Sequence, residues 1–544
     1  MKVMERSNLI IAALLIVVIV QSAALVYLWQ VPPGVPDEER ETLTIGSISE
    51  VGRDHHPQVV KGGDNDITHQ IYEGLLGYKY GETFEMEPLL ATDLGEVSED
   101  GLEYTFSLRE GIKFHDGTDF NATAVKHHFD LMFELQQGMT YIFHQELLNR
   151  TEVVDEYTVR FYLNYANTAF RYMLCHISAM IPSPTSTEAG LAEGDVDTYK
   201  AGTGPYTFTS KVIDNKVILD ANEDWWRIDE FEQEVLQIDR LQFLMIGDAS
   251  TLRSAVETGV VDLTTGSLNE ADYPDLRENE DLQTFDVTSA SSVRWLTFNM
   301  NSTLHDVFPQ DKRMRQAFAY AINYDVIIDT VYEGDAERLD SYLPPEYDGY
   351  IPAAEDYTYD PDAALSLIDE AGFETPVEIT IHSSGSYTPR ETEMLEVIEE
   401  YALAAGFDVT IDIQEIGVYR QQYRETDNQE ITLWRWRADY PAADNYNVPF
   451  ISSYGYGTGY CKVEDGDMSV LYPEVDDLVM EAAGTTNETR YIEIVEELQE
   501  IWAEWLPNIF VYRPKWYQFG DAALEGVWFG GLQWDMQFYK ASFA

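Results

Sequence analysis

An apolar run near the N-terminus determines on which side of a membrane the rest of this chain can fold. Positions 9–29 are apolar except at 21 and 22, and Lys2 and Arg6 precede them. A helix of ~20 apolar residues spans the ~30 Å hydrocarbon core of a bilayer. Because the basic residues come first, the positive-inside rule places 1–8 in the cytoplasm and the bulk of the chain outside the cell. We expect an uncleaved single-pass anchor; a cleaved signal with a site near Ser22-Ala23-Ala24 is the alternative.

The segment 30–41 has the composition of a linker. It contains Pro32, Pro33 and Pro36 and then a run of acidic residues. Prolines favour an extended, stiff backbone, and neighbouring like charges repel each other. We therefore expect a Pro-rich acidic linker between the membrane and the folded part of the chain.

The net charge excludes one large class of partners. The 544 residues include 97 acidic and 34 basic side chains, for a net charge of −63. A surface this negative repels phosphate backbones, so we expect no nucleic-acid partner. Because the acidic residues are spread along the chain, we interpret them as a halophilic type of surface that stays hydrated in high salt. A surface for a cationic ligand is the alternative interpretation.

The sequence lacks the motifs of the common catalytic and metal sites. It has no glycine-rich dinucleotide motif, P-loop, HExxH or GxSxG. Cys175 and Cys461 have no zinc-ligand spacing, so they form either a disulfide or two buried thiols. The adjacent pairs His55-His56 and 127–128 do not share a helix or strand face, which disfavours chelation by either pair. We predict no catalytic residue, no metal site and no cofactor.

Hydrophobic periodicity predicts a mixed α/β chain. Apolar and polar residues alternate, as in half-buried strands, over 43–48, 104–108, 159–163 and 409–413. Helical spacing predicts helices over 123–133, 314–328, 391–405 and 491–505. A further helix is expected between Asp360, as N-cap before Pro361, and the C-terminal Gly372. Strands that alternate with helices are typical of layered α/β lobes.

One long stretch resembles a known family. Residues 98–117 read SEDGLEYTFSLREGIKFHDG, and Ala122-Thr123-Ala124-Val125 follows. This resembles the signature of the family 5 extracellular solute-binding proteins, which are the dipeptide, oligopeptide and nickel receptors of ABC importers. Further blocks follow the family's order at 71–76, 202–206, 255–262, 311–322, 359–373 and 437–445. The resemblance covers roughly 43–540.

The resemblance implies a fold and a mode of action. The expected fold is α/β, a two-lobed periplasmic-binding-protein type II fold with an extra inserted subdomain in the first lobe. The expected boundaries are 42–290 for the first lobe, about 82–200 for the subdomain, 291–506 for the second lobe and 507–544 for a return to the first. Gly202, Gly204 and Pro205 are expected to form the hinge. The monomeric receptor would close on its ligand and deliver it to ABC permease subunits with separate ATPase chains.

The candidate ligand residues follow from the same resemblance. In peptide-binding members, an aspartate at the place of Asp439 pairs with the peptide's ammonium group. Neighbouring Trp and Arg residues contact the rest of the ligand. The further candidates are Trp436, Arg435, Arg437, Asp444, Asn299, Trp295 and Phe298. A surface ion pair between Arg437 and Asp439, and core packing of Trp295 and Phe298, are the alternatives.

The ligand class stays open at this stage. Ala442-Ala443-Asp444 departs from the family's usual residues after Tyr440-Pro441. Di- and oligopeptides are the favoured ligands, and an oligosaccharide or a nickel chelate on the same fold is the alternative. An anchored extracellular enzyme or a signalling ectodomain is a third class. The apolar run is followed by no lipid-attachment cysteine, so the resemblance is to membrane-anchored receptors of archaeal style.

Overall fold

The computed structural model describes residues 41–49, 51, 54–60, 65–138, 140–231, 235–266, 268–287, 292–300, 307–352, 357–425, 429–453, 468–532 and 536–544. Residues Thr42–Ala544 form one compact unit. Within the described part, no helix combines the length and the apolar composition needed to cross a membrane. The predicted anchor, most of the predicted linker and Cys461 lie outside the described residues.

The strands of the described residues are β1 (Thr42–Ser47), β2 (Leu76–Tyr78), β3 (Met86–Pro88), β4 (Glu96–Val97), β5 (Glu103–Ser107), β6 (Leu148–Asp155), β7 (Thr158–Leu163), β8 (Tyr206–Val212), β9 (Lys216–Ala221), β10 (Arg240–Met245), β11 (Leu263–Thr265), β12 (Leu282–Asp286), β13 (Ser292–Phe298), β14 (Ala336–Arg338), β15 (Val377–Ser384), β16 (Phe407–Gln414), β17 (Ile431–Arg437), β18 (Asn508–Pro514), β19 (Tyr517–Asp521), β20 (Leu524–Glu525), β21 (Trp528–Phe529), β22 (Met536–Gln537) and β23 (Ser542–Phe543).

The helices of the same residues are α1 (Asn65–Ile71), α2 (Ala122–Leu135), α3 (Phe170–Met173), α4 (Pro184–Glu193), α5 (Ala249–Glu257), α6 (Tyr273–Arg277), α7 (Val307–Gln310), α8 (Lys312–Tyr320), α9 (Tyr324–Val326), α10 (Pro361–Ala371), α11 (Pro389–Ala404), α12 (Ile416–Glu425), α13 (Asp444–Ile451), α14 (Met468–Gly484) and α15 (Glu488–Trp505). Short 3-10 turns cover Thr140–Phe143, Ile177–Ala179, Val196–Thr198, Ile228–Phe231 and Glu270–Asp272, and a π-helical turn covers Ile327–Val331.

The first lobe is built on a seven-stranded sheet. Its strand order is β12-β19-β11-β1-β10-β9-β8. β1 runs parallel to both β10 and β11, and β19 runs antiparallel between β11 and β12. Leu43 and Ile45 of β1 are fully buried, as the alternation of 43–48 predicted.

The second lobe is built on a six-stranded sheet. Its order is β14-β18-β13-β17-β15-β16, in which β15 runs parallel to β16 and β17. Helices α8, α10, α11 and α15 share one hydrophobic cluster with this sheet. The sheet also contains 508–514, because β18 pairs with β13 and β14. The return to the first lobe therefore begins at β19 and not at residue 507.

Two crossovers join the sheets. The chain passes from β12 to β13 between Asp286 and Ser292, and from β18 to β19 between Pro514 and Tyr517. Val287, at the start of the first crossover, lies beside the second crossover, because its N–H donates to the Trp516 carbonyl at 2.9 Å.

The segment with Gly202, Gly204 and Pro205 lies inside the first lobe, and its role as a hinge stays a prediction. It leads into β8 of the first sheet, and the Thr203 hydroxyl donates to the buried Glu73 carboxylate at 2.7 Å. A Cβ at Gly202 would clash with the Ile71 carbonyl, and one at Gly204 would lie 2.6 Å from the Gln70 carbonyl. The glycines therefore allow close backbone contact.

A subdomain lies within the predicted range of about 82–200. Its four-stranded sheet has the order β4-β5-β7-β6 and packs on α2. Its aromatic core includes Phe106, Phe129 and Phe161. Tyr440 and Ala442 of the second lobe join this cluster, and the Thr168 N–H donates to the Ala483 carbonyl at 2.9 Å. The subdomain and the second lobe are thus in direct contact.

Ion pairs also join the two lobes near the crossovers. Arg277 Nη2 lies 2.6 Å from Asp335 Oδ1, and Arg390 Nη1 lies 3.8 Å from Glu270 Oε2. Arg277 and Glu270 belong to the first lobe, and Asp335 and Arg390 belong to the second. Their charges stabilise the relative placement of the lobes that the structure shows.

The helix predicted over 314–328 is interrupted. α8 ends at Tyr320, and α9 begins at Tyr324. The Asn323 side chain accepts a hydrogen bond from the Val326 N–H at 3.2 Å, which is the geometry of an N-cap. The apolar spacing continues through the break, so periodicity alone did not show it.

Candidate functional site

The crossovers bring together one edge of each sheet. The parallel strands β15, β16 and β17 end at the same edge of the second sheet, where β13 begins. β1, β11 and β12 end at the edge of the first sheet from which the chain leaves. Ligands of open α/β sheets bind outside the carboxyl ends of the strands. The candidate site is therefore the space between these two edges.

Two arginines share one buried carboxylate at this edge. Arg294 of β13 lies directly opposite Arg435 of β17. Like charges in that position repel each other. Glu391 of α11 compensates them: its Oε1 accepts hydrogen bonds from Arg294 Nε at 2.6 Å and Arg435 Nε at 2.8 Å, and its Oε2 accepts a further bond from Arg435. Burial raises the pKa of Glu391, but the two guanidinium groups outweigh burial and lower it to about 2.

A third arginine extends this positive region toward the second crossover. Arg437 is the last residue of β17, and its guanidinium lies 5.2 Å from the centre of the Trp516 ring in the second crossover. The Arg294 guanidinium lies 6.0 Å from the centre of a ring of the same side chain. Burial and the charges of Arg294 and Arg435 lower the pKa of Arg437 to about 9. The arrangement places two of the arginines next to the second crossover.

The first lobe faces the arginines with a carboxylate. Burial raises the pKa of Glu270, whereas the charges of Arg390, Arg294 and Arg435 lower it. These charges act on Glu270 across the space between the lobes. The arginine group therefore lies at the junction of the lobes, where a ligand anion would also lie.

Asp439 lies in the loop after β17. The strand ends at Arg437, so the alternation of side chains along the strand does not extend to Asp439. Asp439 is half-buried. Trp436 packs edge-on against Phe450, and its buried Nε1 has no hydrogen-bond acceptor among the described residues. An unsatisfied buried donor next to a cleft is a position that a ligand can satisfy.

Asp444 is the most buried of the predicted acidic residues. It is 7% exposed, and its Oδ2 accepts a hydrogen bond from the Tyr440 hydroxyl at 3.1 Å. Its Oδ1 is buried and has no partner among the described residues. Burial raises the pKa of Asp444 to about 6, although the bond from Tyr440 opposes this shift.

The other three candidates lie in the interior of the second lobe. Trp295 stacks on Phe510, and Phe298 packs against Phe308; both side chains are almost fully buried. The Asn299 amide donates to the Gln429 carbonyl at 2.7 Å. The structure gives these residues packing roles, and their contact with a ligand stays a prediction.

Three residues of this region were not predicted from the sequence: Arg294, Glu391 and Trp516. Arg294 could have been identified from the sequence, because it is an arginine in an otherwise apolar strand. Glu391 forms the capping box of α11 with Thr388, and this local role already accounts for a glutamate at that position. No sequence pattern indicated Trp516, because its neighbours come together only when the two crossovers pair.

The described residues contain no group of three His, Cys, Asp or Glu side chains placed to hold a metal ion. His56 and His128 are fully buried and bond instead to protein groups, Thr187 and Gln58 respectively. Cys175 is buried in the subdomain core.

Comparisons with known proteins agree with this architecture. The family model for bacterial extracellular solute-binding proteins, family 5, matches residues 85–458. The dipeptide-binding protein of Escherichia coli is 27% identical over 81% of this chain and 83% of its own length. Heme-binding protein A of Haemophilus influenzae is 28% identical over 81% and 82%.

A solved structure supports the same assignment. The periplasmic binding protein DppA of Helicobacter pylori, in complex with the peptide STSA, is 25% identical to this chain with a TM-score of 0.73. The match covers 93% of this chain and 99% of that protein. Both the two-lobed fold and the family model thus point to one assignment, and the chain belongs to family 5 of the bacterial extracellular solute-binding proteins.

Proposed function

We propose that this chain is the extracellular receptor of an ABC importer and that it captures di- and oligopeptides between its two lobes. Closure about the paired crossovers holds the ligand, and the loaded monomer delivers it to the permease, whose ATPase chains are separate. The receptor performs no chemical step. Its N-terminal apolar run anchors it in the cell membrane, with the binding domain outside.

The observation that favours a peptide is the presence of both charge signs at one sheet edge. Arg435 and Arg437 end β17, and Asp439 follows two residues later. A peptide at neutral pH has an ammonium and a carboxylate group, and taking either out of water requires an opposite charge. Guanidinium groups bind carboxylates through paired hydrogen bonds. The edge therefore complements a zwitterion.

The relatives support the same class of ligand. The names of the Escherichia coli and Helicobacter pylori proteins refer to dipeptide binding and to a bound peptide. The Haemophilus influenzae relative is named for heme binding, so family membership alone does not determine the ligand. The residues of the cleft must do so.

A stability screen of the purified chain tests the proposal. The ligands are short peptides, the same peptides with acetylated amino termini, oligosaccharides, and nickel with small chelators. A ligand at about 100 times its dissociation constant raises the free energy of unfolding by ~2.7 kcal/mol. We expect this rise with free peptides only. Stabilisation by sugars or chelates alone would contradict the peptide assignment and retain the fold.

The variant Asp439→Ala tests the ammonium contact. Loss of one partner of a buried charge pair costs about 2 kcal/mol or more, so we expect peptide affinity to fall at least ~30-fold in calorimetry. The control is Asp408→Asn, which removes one charge from the exposed face of β16 in the same lobe. Unchanged affinity in Asp439→Ala would rule out the ammonium role.

A further inference from the structure

A small cavity lies where the subdomain meets the second lobe. Its volume is about 80 Å³. It is lined by Thr168, Ala169, Tyr172, Asp348, Pro441, Ala442, Ala443 and Tyr491. The Ala443 N–H donates to the Tyr491 hydroxyl at 3.2 Å, which fixes one wall. The cavity is thus formed by the loop that follows Asp439 and by two aromatic side chains from opposite sides.

Asp444 lies directly behind this wall. It follows Ala443 in the chain, and its buried Oδ1 has no hydrogen-bond partner within the described part of the molecule. Burial and the charge of Asp444 together raise the pKa of Tyr165, from the subdomain, and of Tyr491, from the second lobe. The field of this carboxylate therefore reaches both sides of the cavity.

The cavity has acidic and aromatic surroundings and no basic lining residue. Asp348 adds an exposed carboxylate to the lining, and Tyr172 and Tyr491 add ring surface. Asn445, next to Asp444, has a buried Oδ1 that also lacks a partner among the described residues. Unpaired acceptors disfavour an anion, whereas a cation gains from the carboxylates and from contact with the rings.

We propose that this cavity is a subsite for a small cationic group of the ligand, such as the side-chain ammonium of a lysine or ornithine residue. The inference rests on the proposed function, because the ligand must first be held at Asp439. Ala442 lies three positions after Asp439, a span of at most ~11 Å along the chain. A peptide with its amino terminus at Asp439 can therefore direct a basic side chain into the cavity.

The test compares two peptides that differ only in the side-chain ammonium: lysyl-alanine and norleucyl-alanine. Calorimetry with the full chain measures both affinities. Charged hydrogen bonds contribute enough to predict about a tenfold preference for the lysine peptide. We expect Asp444→Asn to reduce this preference to near one. Asp348→Asn, at an exposed position where folding is not at risk, should reduce the preference about threefold.

The control is Asp130→Asn, an exposed residue of α2 in the subdomain. It removes the same charge from the molecule but not from the cavity, and it should keep the full preference. Equal affinity of the wild-type chain for the two peptides would overturn the subsite and leave the receptor proposal in place. A preference for the lysine peptide that survives both Asp444→Asn and Asp348→Asn would also overturn the subsite. Absence of binding for both peptides would instead reject the receptor proposal, and the subsite with it.

Discussion

Glu391 shows how one side chain has both a local and a long-range role. Locally, it completes the capping box of α11 with Thr388. At long range, it holds Arg294 and Arg435, which would otherwise repel each other across two neighbouring strands. The resemblance identified Arg435 from its place in the chain. It did not identify Arg294 or Glu391, because their proximity depends on the pairing of β13 with β17.

Glu391→Gln should destabilise the chain strongly. Removal of one partner from a buried ionic group leaves unpaired charge inside the protein and costs ~3–5 kcal/mol. Because the folded-state pKa of Glu391 is lowered to about 2, its contribution is fully present above the pKa of about 4 of an unfolded glutamate. The contribution is lost as the pH falls toward 2. The free energy of unfolding, measured in urea at pH 7 and pH 3, checks both statements.

The control for this change is Glu393→Gln on the exposed face of the same helix, which should alter the free energy of unfolding by less than ~0.5 kcal/mol. Equal stability of the two variants at pH 7 would contradict the role assigned to Glu391.

Sequence patterns predicted the helices and strands that depend mainly on contacts between neighbouring residues. The helix α10 begins after Asp360, whose side chain accepts from the Ala363 N–H, and ends at Gly372 with φ of 85°, as predicted. The strands at 43–48, 104–108 and 159–163 also lie where alternation placed them. The hinge role of the segment 202–205 stays a prediction, because glycine permits both motion and close backbone contact.

Gly202→Ala distinguishes these two roles of glycine. A methyl group there would clash with the Ile71 carbonyl, which is backbone and cannot move aside easily. We expect a loss of more than ~2 kcal/mol in the free energy of unfolding. Gly247→Ala is the matched control, because its Cβ would meet no atom within 4 Å. If Gly202→Ala changed only ligand affinity and not stability, a hinge role would have to be reconsidered.

For the molecule as a whole, acidity and burial act together on stability. The net charge of −63 is a property of the sequence, and its interpretation as a halophilic surface stays a prediction. The interior makes a further contribution to stability, which the composition did not predict. It comes from histidines that are buried in the first lobe and its subdomain. Burial lowers the pKa of His56 to about 3 and of His128 to about 4. Both remain neutral when the unfolded chain becomes protonated.

This difference predicts a loss of stability in mild acid. Between pH 6.5 and pH 4 these two histidines bind more protons in the unfolded chain than in the folded one, so their contribution to the free energy of unfolding decreases as the pH falls. His128 alone should account for ~3 kcal/mol of the decrease. Denaturant unfolding at pH 7 and pH 4 should therefore show a smaller decrease in His128→Gln than in the wild type. The exposed His144→Gln should behave as the wild type, and an unchanged decrease in His128→Gln would exclude this source.

The position of β19 has a consequence for how the chain acquires its shape. This strand lies between β11 and β12, although some 230 residues and the whole second lobe separate it from them in sequence. Until residues 517–521 have been synthesised and exported, β12 has no neighbour in the first sheet. An export intermediate can therefore complete the second lobe before the first. A nascent chain halted before β19 would expose unpaired strand edges, and such edges can pair with other chains and promote aggregation.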